Sequence, residues 1–116
     1  MIQKRILVVD DEPLIAMLLC DWLEELGHTV IGPAHSVKDA LALLESEPVD
    51  GAILDVTLGQ ENSFDIAEAL QKLSVPTVFA TGHGPDSLEE RFRAAPMLPK
   101  PFDFAAVEQA LTSFGG

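Results

Sequence analysis

The sequence has no tyrosine, one cysteine, and only seven lysine and arginine residues against nineteen aspartate and glutamate residues. The formal net charge of -12 argues against a nucleic-acid binder, which needs clustered cations to release counterions from phosphates. It also argues against an anionic membrane surface as a partner. The single cysteine, Cys20, cannot form an internal disulfide, and we therefore expect a reducing, cytoplasmic location.

Long apolar runs are also missing. The first apolar run, Ile6–Val9, has four residues, which is too short for a signal peptide or a membrane span. The 116 residues, of which 47% are hydrophobic and 22% are charged, have the composition of one globular domain. We expect residues 1–116 to form a single domain without linkers.

Short apolar runs alternate with helical patterns along the chain. The runs predict buried strands at Ile6–Val9, Thr29–Ile31, Ala52–Leu54, Thr77–Ala80 and Met97–Leu98. Pro13 predicts the start of the first helix, and Ser36 and Asp103 are predicted N-caps of the second and the last. Strict alternation with short connections predicts a doubly wound α/β fold, with a parallel sheet covered by helices on both faces.

Polar residues follow four of the predicted strands. They are Asp10, Asp11 and Glu12 after the first strand, Asp55 after the third, Thr81, Gly82 and His83 after the fourth, and Lys100 after the fifth. The carboxyl ends of parallel strands form the ligand-binding edge of such a sheet. Converging carboxylates repel one another, and a hard divalent cation such as Mg²⁺ removes the repulsion. Alternatively, Asp11 or Glu12 only stabilises the start of the first helix.

The same edge also predicts a reaction. Asp55 is a candidate nucleophile, because a carboxylate can accept a phosphoryl group. Lys100 and Mg²⁺ would stabilise the charge on the transferred group.

Four segments, "ILVVDDEP", "AILDVTL", "VFATGHG" and "LPKPF", resemble the receiver domains of bacterial two-component response regulators in order and spacing. The resemblance covers essentially the whole chain. It implies the flavodoxin-like receiver fold, with five strands in the order 2-1-3-4-5. It also implies Mg²⁺-dependent phosphoryl transfer from a phosphohistidine of a histidine kinase to Asp55.

The resemblance further implies a role for each matching residue. Asp11 would bind Mg²⁺ directly together with Asp55 and the main-chain carbonyl of Thr57, Asp10 would act largely through water, Thr81 would be the switch hydroxyl, and Lys100 would pair with the phosphoryl group. The Lys100–Pro101 peptide bond would be cis.

The sequence departs from the common receiver pattern at three places. Met97 stands where receivers carry Tyr or Phe, the loop "VTLGQENSF" lacks the usual Met-Pro, and the segment between Thr81 and Lys100 is short. We therefore expect a reduced fourth helix. The signature "PTVFATGHG" resembles the FATGUY subgroup, which is associated with kinases of the HWE and related types.

His83 stands where the FATGUY signature has tyrosine. It is either an exposed loop residue or, together with Thr57, a residue that sets the lifetime of the aspartyl phosphate.

We expect a monomeric stand-alone regulator without an output domain, and not an enzyme in the usual sense. It would receive its phosphoryl group from a histidine kinase or a histidine phosphotransfer protein, and would contact an output protein through the helix four, strand five and helix five face. A phosphate sink or relay intermediate is the main alternative. A haloacid-dehalogenase-like phosphatase is disfavoured because its D-x-D pattern is missing, and a docking-only receiver is disfavoured because every acidic, hydroxyl and lysine position is filled.

Overall fold

The computed structural model describes residues 3–82, 88–93 and 95–114. Along the chain it has β1 (Arg5–Val9), α1 (Pro13–Glu25), β2 (Thr29–Ala34), α2 (Val37–Ser46), β3 (Gly51–Asp55), α3 (Phe64–Lys72), β4 (Thr77–Thr81), β5 (Met97–Pro99) and α4 (Phe104–Leu111). The five strands form one parallel sheet in the order β2-β1-β3-β4-β5, which confirms the predicted receiver topology. None of the helices in these ranges has the length and apolar character needed to cross a bilayer.

Local sequence signals set the helix starts. Pro13 occupies the first turn of α1, where its missing N–H costs no helical hydrogen bond. The Ser36 hydroxyl accepts the Asp39 N–H at 3.1 Å, and the Asp103 carboxylate accepts the Ala106 N–H at 2.9 Å. The capping signals are therefore confirmed as the starts of α2 and α4.

Both faces of the central strands are buried, which explains their continuous apolar sequences. Leu7 and Leu54 pack in a cluster with residues of α2 and α3, whereas Ile6 and Ile53 pack with α1 and α4 on the opposite face. Each such side chain contributes about 1.5–3 kcal/mol by leaving water. The strands are thus held rigidly between two helical layers, with their carboxyl ends at one edge.

Two elements differ from the prediction. β2 continues three residues beyond Ile31 through a cis Gly32–Pro33 bond, which is compatible with its place at the sheet edge, where a missing N–H is tolerated. A small hairpin, which the sequence did not predict, pairs Thr57–Leu58 with Glu61–Asn62 before α3. The Lys100–Pro101 bond is cis, as the resemblance implies.

The connection from β4 to β5 carries a three-residue 3-10 turn, Glu90–Phe92, in its described part. The Phe92 ring lies 5.5 Å from the Phe64 ring and 5.6 Å from the Phe79 ring, measured between centroids. In the described part of this connection, a 3-10 turn stands where the sequence predicted a reduced helix between the fourth and fifth strands, which confirms the expected reduction there. Residues 83–87, which include His83, lie outside those ranges.

Candidate functional site

With the exception of His83, which lies outside the described residues, the polar residues predicted to follow the strands lie together at the carboxyl edge of the sheet. An open cavity of about 300 Å³ at this edge is lined by Asp11, Glu12, Asp55, Val56, Thr57, Thr81, Gly82 and Lys100. Asp10 and Asp55 are buried, whereas Asp11 and Glu12 are exposed. The topology therefore brings residues from four separate segments into one site.

Four carboxylates form a cluster in this site. Asp10, Asp11, Glu12 and Asp55 each offer an oxygen, and these atoms all lie within 4.8 Å of one another. Hard oxygen donors at this density match Mg²⁺, which takes one or two carboxylates and retains waters. The residues present therefore fit such an ion.

Backbone N–H groups hold the acidic pair in place. Asp10 Oδ1 accepts the Glu12 N–H at 2.9 Å, and Asp11 Oδ2 accepts the Gly59 N–H at 2.8 Å. Gly59 has a φ of +62°, a conformation that favours glycine at the turn of the small hairpin. Sequence reasoning missed Gly59, although a glycine in the loop after a candidate nucleophile was an available signal.

Lys100 reaches three of the carboxylates. Its Nζ lies 3.1 Å from Asp55 Oδ2, 3.3 Å from Asp10 Oδ2 and 3.8 Å from Glu12 Oε1. Partial burial disfavours its charge, yet the Asp10 and Asp55 carboxylates raise the pKa of Lys100 above its ordinary value. Lys100 therefore remains charged between the acidic groups.

Glu12 lies at the start of the first helix and also belongs to the site. The sequence left open that it only stabilises the helix start, and it does occupy the N-cap position of α1. Its side chain makes no capping hydrogen bond, however, and lies within ion-pair distance of Lys100 instead. The attraction of Lys100 competes with the weak advantage of a carboxylate at the helix start.

Asp55 is the last residue of β3, and its ionisation is disfavoured. Burial and the neighbouring Asp10 charge raise its pKa from 3.8 to about 6, against the opposing effects of Lys100 and of the Thr57 N–H. The single lysine therefore compensates only part of the negative charge. A bound cation would lower the pKa of Asp55 and leave the nucleophilic carboxylate form at neutral pH.

The remaining predicted residues either line the cavity or lie outside the described ranges. Thr81 is buried at the end of β4, and its carbonyl accepts the Lys100 N–H at 2.8 Å. Thr57 lines the cavity, and its N–H lies 3.4 Å from Asp55 Oδ1. The metal-binding role of the Thr57 carbonyl and the role of His83 stay predictions.

Comparison with known proteins identifies the family. The family model described as the response regulator receiver domain matches residues 6–112. This chain belongs to the response regulator receiver family. Receiver domains are signalling switches rather than conventional enzymes, and their acidic pocket binds Mg²⁺.

Curated relatives of this receiver domain include longer regulators. The sensory transduction protein LytR of Staphylococcus haemolyticus is 34% identical over 92% of this chain and 43% of that protein. The transcriptional regulatory protein PdtaR of Mycobacterium tuberculosis is 33% identical over 97% of this chain and 59% of that protein. The chain thus spans about half the length of these relatives.

Solved structures of response regulators also resemble this receiver domain. SdrG from Sphingomonas melonis Fr1 is 49% identical, with a TM-score of 0.86 and coverage of 97% of this chain and 96% of that one. PhyR from Brucella abortus is 34% identical, with a TM-score of 0.82 over 97% of this chain and 47% of that one. The BeF3-activated conformation of SdrG from Pseudomonas melonis Fr1 is 50% identical, with a TM-score of 0.81 and coverage of 94% of this chain and 93% of that one.

Proposed function

We propose that the protein is a cytoplasmic phosphorylation switch in which Asp55 accepts a phosphoryl group from the phosphohistidine of another protein. The observation that carries the proposal is the surrounding of Asp55. Its carboxylate lines the cavity, clusters with the carboxylates of Asp10, Asp11 and Glu12, and lies beside the Lys100 ammonium group. Such a site combines a nucleophile with groups that stabilise phosphoryl charge.

In the proposed transfer, an Asp55 carboxylate oxygen attacks phosphorus while the bond from phosphorus to the donor's imidazole nitrogen breaks. The products are an acyl phosphate on Asp55 and a dephosphorylated histidine on the donor. Asp11, Asp55 and the Thr57 carbonyl would hold Mg²⁺, with Asp10 acting through water, and the ion would neutralise charge on the phosphoryl oxygens. Lys100, 3.1 Å from Asp55 Oδ2, would pair with one of these oxygens, and the Thr81 hydroxyl would follow the phosphoryl group.

The surface beside the cavity supports a protein as the donor. Leu14 is 76% exposed, two residues beyond Glu12 at the cavity rim, and Met17 and Leu18 extend this apolar surface along α1. An apolar surface next to a reactive cavity fits a protein partner better than a small metabolite. A histidine kinase, of the HWE or a related type, or a histidine phosphotransfer protein would be such a donor, and the acidity of this domain favours a basic surface on it.

The signal would leave through the face formed by the Glu90–Phe92 turn, β5 and α4. The Lys100 N–H donates to the Thr81 carbonyl at 2.8 Å, so the backbones that carry the lysine and the proposed switch hydroxyl are joined directly. A displacement of one of these strand ends would therefore reach the other. Met97, half-buried on β5, takes the position of the usual aromatic residue in this route.

The test is phosphorylation by a small phosphoryl donor. Incubation with acetyl phosphate and Mg²⁺ should add one phosphoryl group, detected by intact-protein mass spectrometry. Asp55→Ala should abolish the addition, and chelation of Mg²⁺ should do the same. Asp65→Asn, an exposed aspartate on α3, is the matched control and should leave the addition unchanged. Addition to the Asp55→Ala variant would contradict the proposal.

The same preparation separates a regulator from a phosphate sink or relay. A dephosphorylated histidine phosphotransfer protein is added to the phosphorylated domain, and the label on each protein is followed. Return of the phosphoryl group from Asp55 to histidine supports the sink or relay function. Retention on Asp55 supports the regulator.

A further inference from the structure

A change of strand register brings the start of the β2–α2 connection to the cation site. Two register pairs lie on either side of the change, Leu7 with Ile31 and Val9 with Ala34. Between them β2 advances by one residue more than β1. Gly32 permits this with a φ of +100°, and a Cβ there would lie only 2.8 Å from the Ala34 nitrogen. The extra residue places His35 beside Asp10.

Both backbone polar groups of Asp10 bind this segment. The Asp10 N–H donates to the Ala34 carbonyl at 3.1 Å, and His35 Nδ1 lies 2.8 Å from the Asp10 carbonyl oxygen. Because a carbonyl oxygen only accepts, Nδ1 must carry the proton. In a regular parallel ladder a backbone N–H of the neighbouring strand would be this donor. Here the chain turns into α2 after Ser36, and the imidazole supplies the donor instead.

This contact acts on both acidic residues at once. The Asp10 carbonyl belongs to the peptide unit that joins Asp10 to Asp11. Holding its plane fixes the directions in which the two side chains leave the backbone, while the Glu12 and Gly59 N–H groups fix the carboxylates themselves. We propose that His35 is a positioning residue that orients the Asp10–Asp11 pair for Mg²⁺. This inference rests on the Mg²⁺ binding of the proposed function.

The test compares Mg²⁺ affinities by calorimetric titration of the whole chain. His35→Ala should weaken Mg²⁺ binding about 10-fold, the smaller end of what loss of a group supporting metal ligands costs. His35→Asn should retain most of the affinity, because its amide nitrogen takes the place of Nδ1. Ser36→Ala is the matched control: it removes the α2 cap on the same connection but leaves the Asp10 contact, and should not change the affinity.

A second measurement needs no metal. In Mg²⁺-free protein at alkaline pH, nitrogen-15 spectra of the imidazole should place the His35 proton on Nδ1. A histidine without this contact favours the Nε2 proton. This signature reports the hydrogen bond itself and is independent of the overall stability of the fold.

Several results would overturn the inference. Equal Mg²⁺ affinities of His35→Ala and the wild type would do so, as would an Nε2 proton on His35. Should His35→Ala not fold, His35→Gln replaces it, because its amide lies one bond too far out, and equal affinities of the Asn and Gln variants would then contradict the role. A wild type that binds no Mg²⁺ would overturn the metal part of the proposed function and this inference with it, whereas Mg²⁺ binding that is unaffected by His35 would overturn only the inference.

Discussion

The sheet can be divided along its width into a side formed by β1 and β3 and a side formed by β4 and β5, and these two sides hold their chemical groups in different ways. On the side of β1 and β3, three helices of nine to thirteen residues cover the strands, and backbone N–H groups fix the Asp10 and Asp11 carboxylates. On the side of β4 and β5, β5 has only three residues, and the described part of the crossover is a three-residue turn. We therefore expect the first side to hold charge in place and the second to respond to it.

From this difference we expect the side of β1 and β3 to determine the stability of the whole domain, and the side of β4 and β5 to carry the signal. Removing packing on the responsive side should loosen that side locally, whereas removing it on the β1 and β3 side should affect the whole domain. Local opening is expected where few apolar contacts hold a segment.

The largest expected effect comes from the aromatic contact of the responsive side. Phe92→Ala removes the ring that packs between Phe64 and Phe79 and should lower the free energy of unfolding by about 3 kcal/mol. Native-state amide exchange should rise in β4 and β5 more than in β1 and β3. Leu23→Ala, fully buried on α1, should instead raise exchange throughout the sheet. Identical exchange patterns in the two variants would remove the distinction between the sides.

The next effect tests Lys100, whose ammonium group on the β5 side reaches carboxylates on the side of β1 and β3. Lys100→Met removes the ammonium group that lies 3.1 Å from Asp55 and 3.3 Å from Asp10. Phosphorylation by acetyl phosphate should slow about 100-fold, because a group that stabilises transferred charge is lost. The control is Lys72→Met, which removes only an exposed pair with Glu68 on α3. Equal rates for the two variants would show that Lys100 has no part in the reaction.

The smallest effect is a pH dependence of the metal-free protein. The pKa of Asp55 is raised from 3.8 to about 6 in the fold, so the folded state holds this proton more tightly than the unfolded chain does. This contribution to stability is present at low pH and is lost as pH rises through that window. The loss should reach about 2–3 kcal/mol in chelator, measured by urea unfolding.

The matched variant for this prediction is Asp55→Asn. It cannot ionise, so its stability should lack the decline over the same pH window, and saturating Mg²⁺ should remove the decline from the wild type. A wild type whose stability rises with pH in chelator, relative to Asp55→Asn, would contradict the raised pKa.

Much of the fold could be predicted because it depends on local signals. Apolar runs predicted the strands, and Pro13, Ser36 and Asp103 predicted helix starts that the structure confirms. Gathering the acidic residues, Thr81 and Lys100 at one edge needed only the rule that parallel strands end together.

The remaining features depend on geometry that the sequence does not encode locally. A proline normally interrupts a strand, so the continuation of β2 through Pro33 was not predicted. The contact of His35 with Asp10 follows from that change of register. The side chain of Glu12 depends on the position of Lys100, which is far along the chain.

The sparse packing of the crossover has an evolutionary consequence. Two buried side chains, Leu88 and Phe92, rather than a whole helical face, connect the described part of the crossover to the core, so few positions there are constrained by packing. After gene duplication, copies that keep Phe92, Thr81 and Lys100 preserve the chemistry while neighbouring positions diverge. A lineage can in this way acquire sibling switches that share one reaction and answer to separate partners.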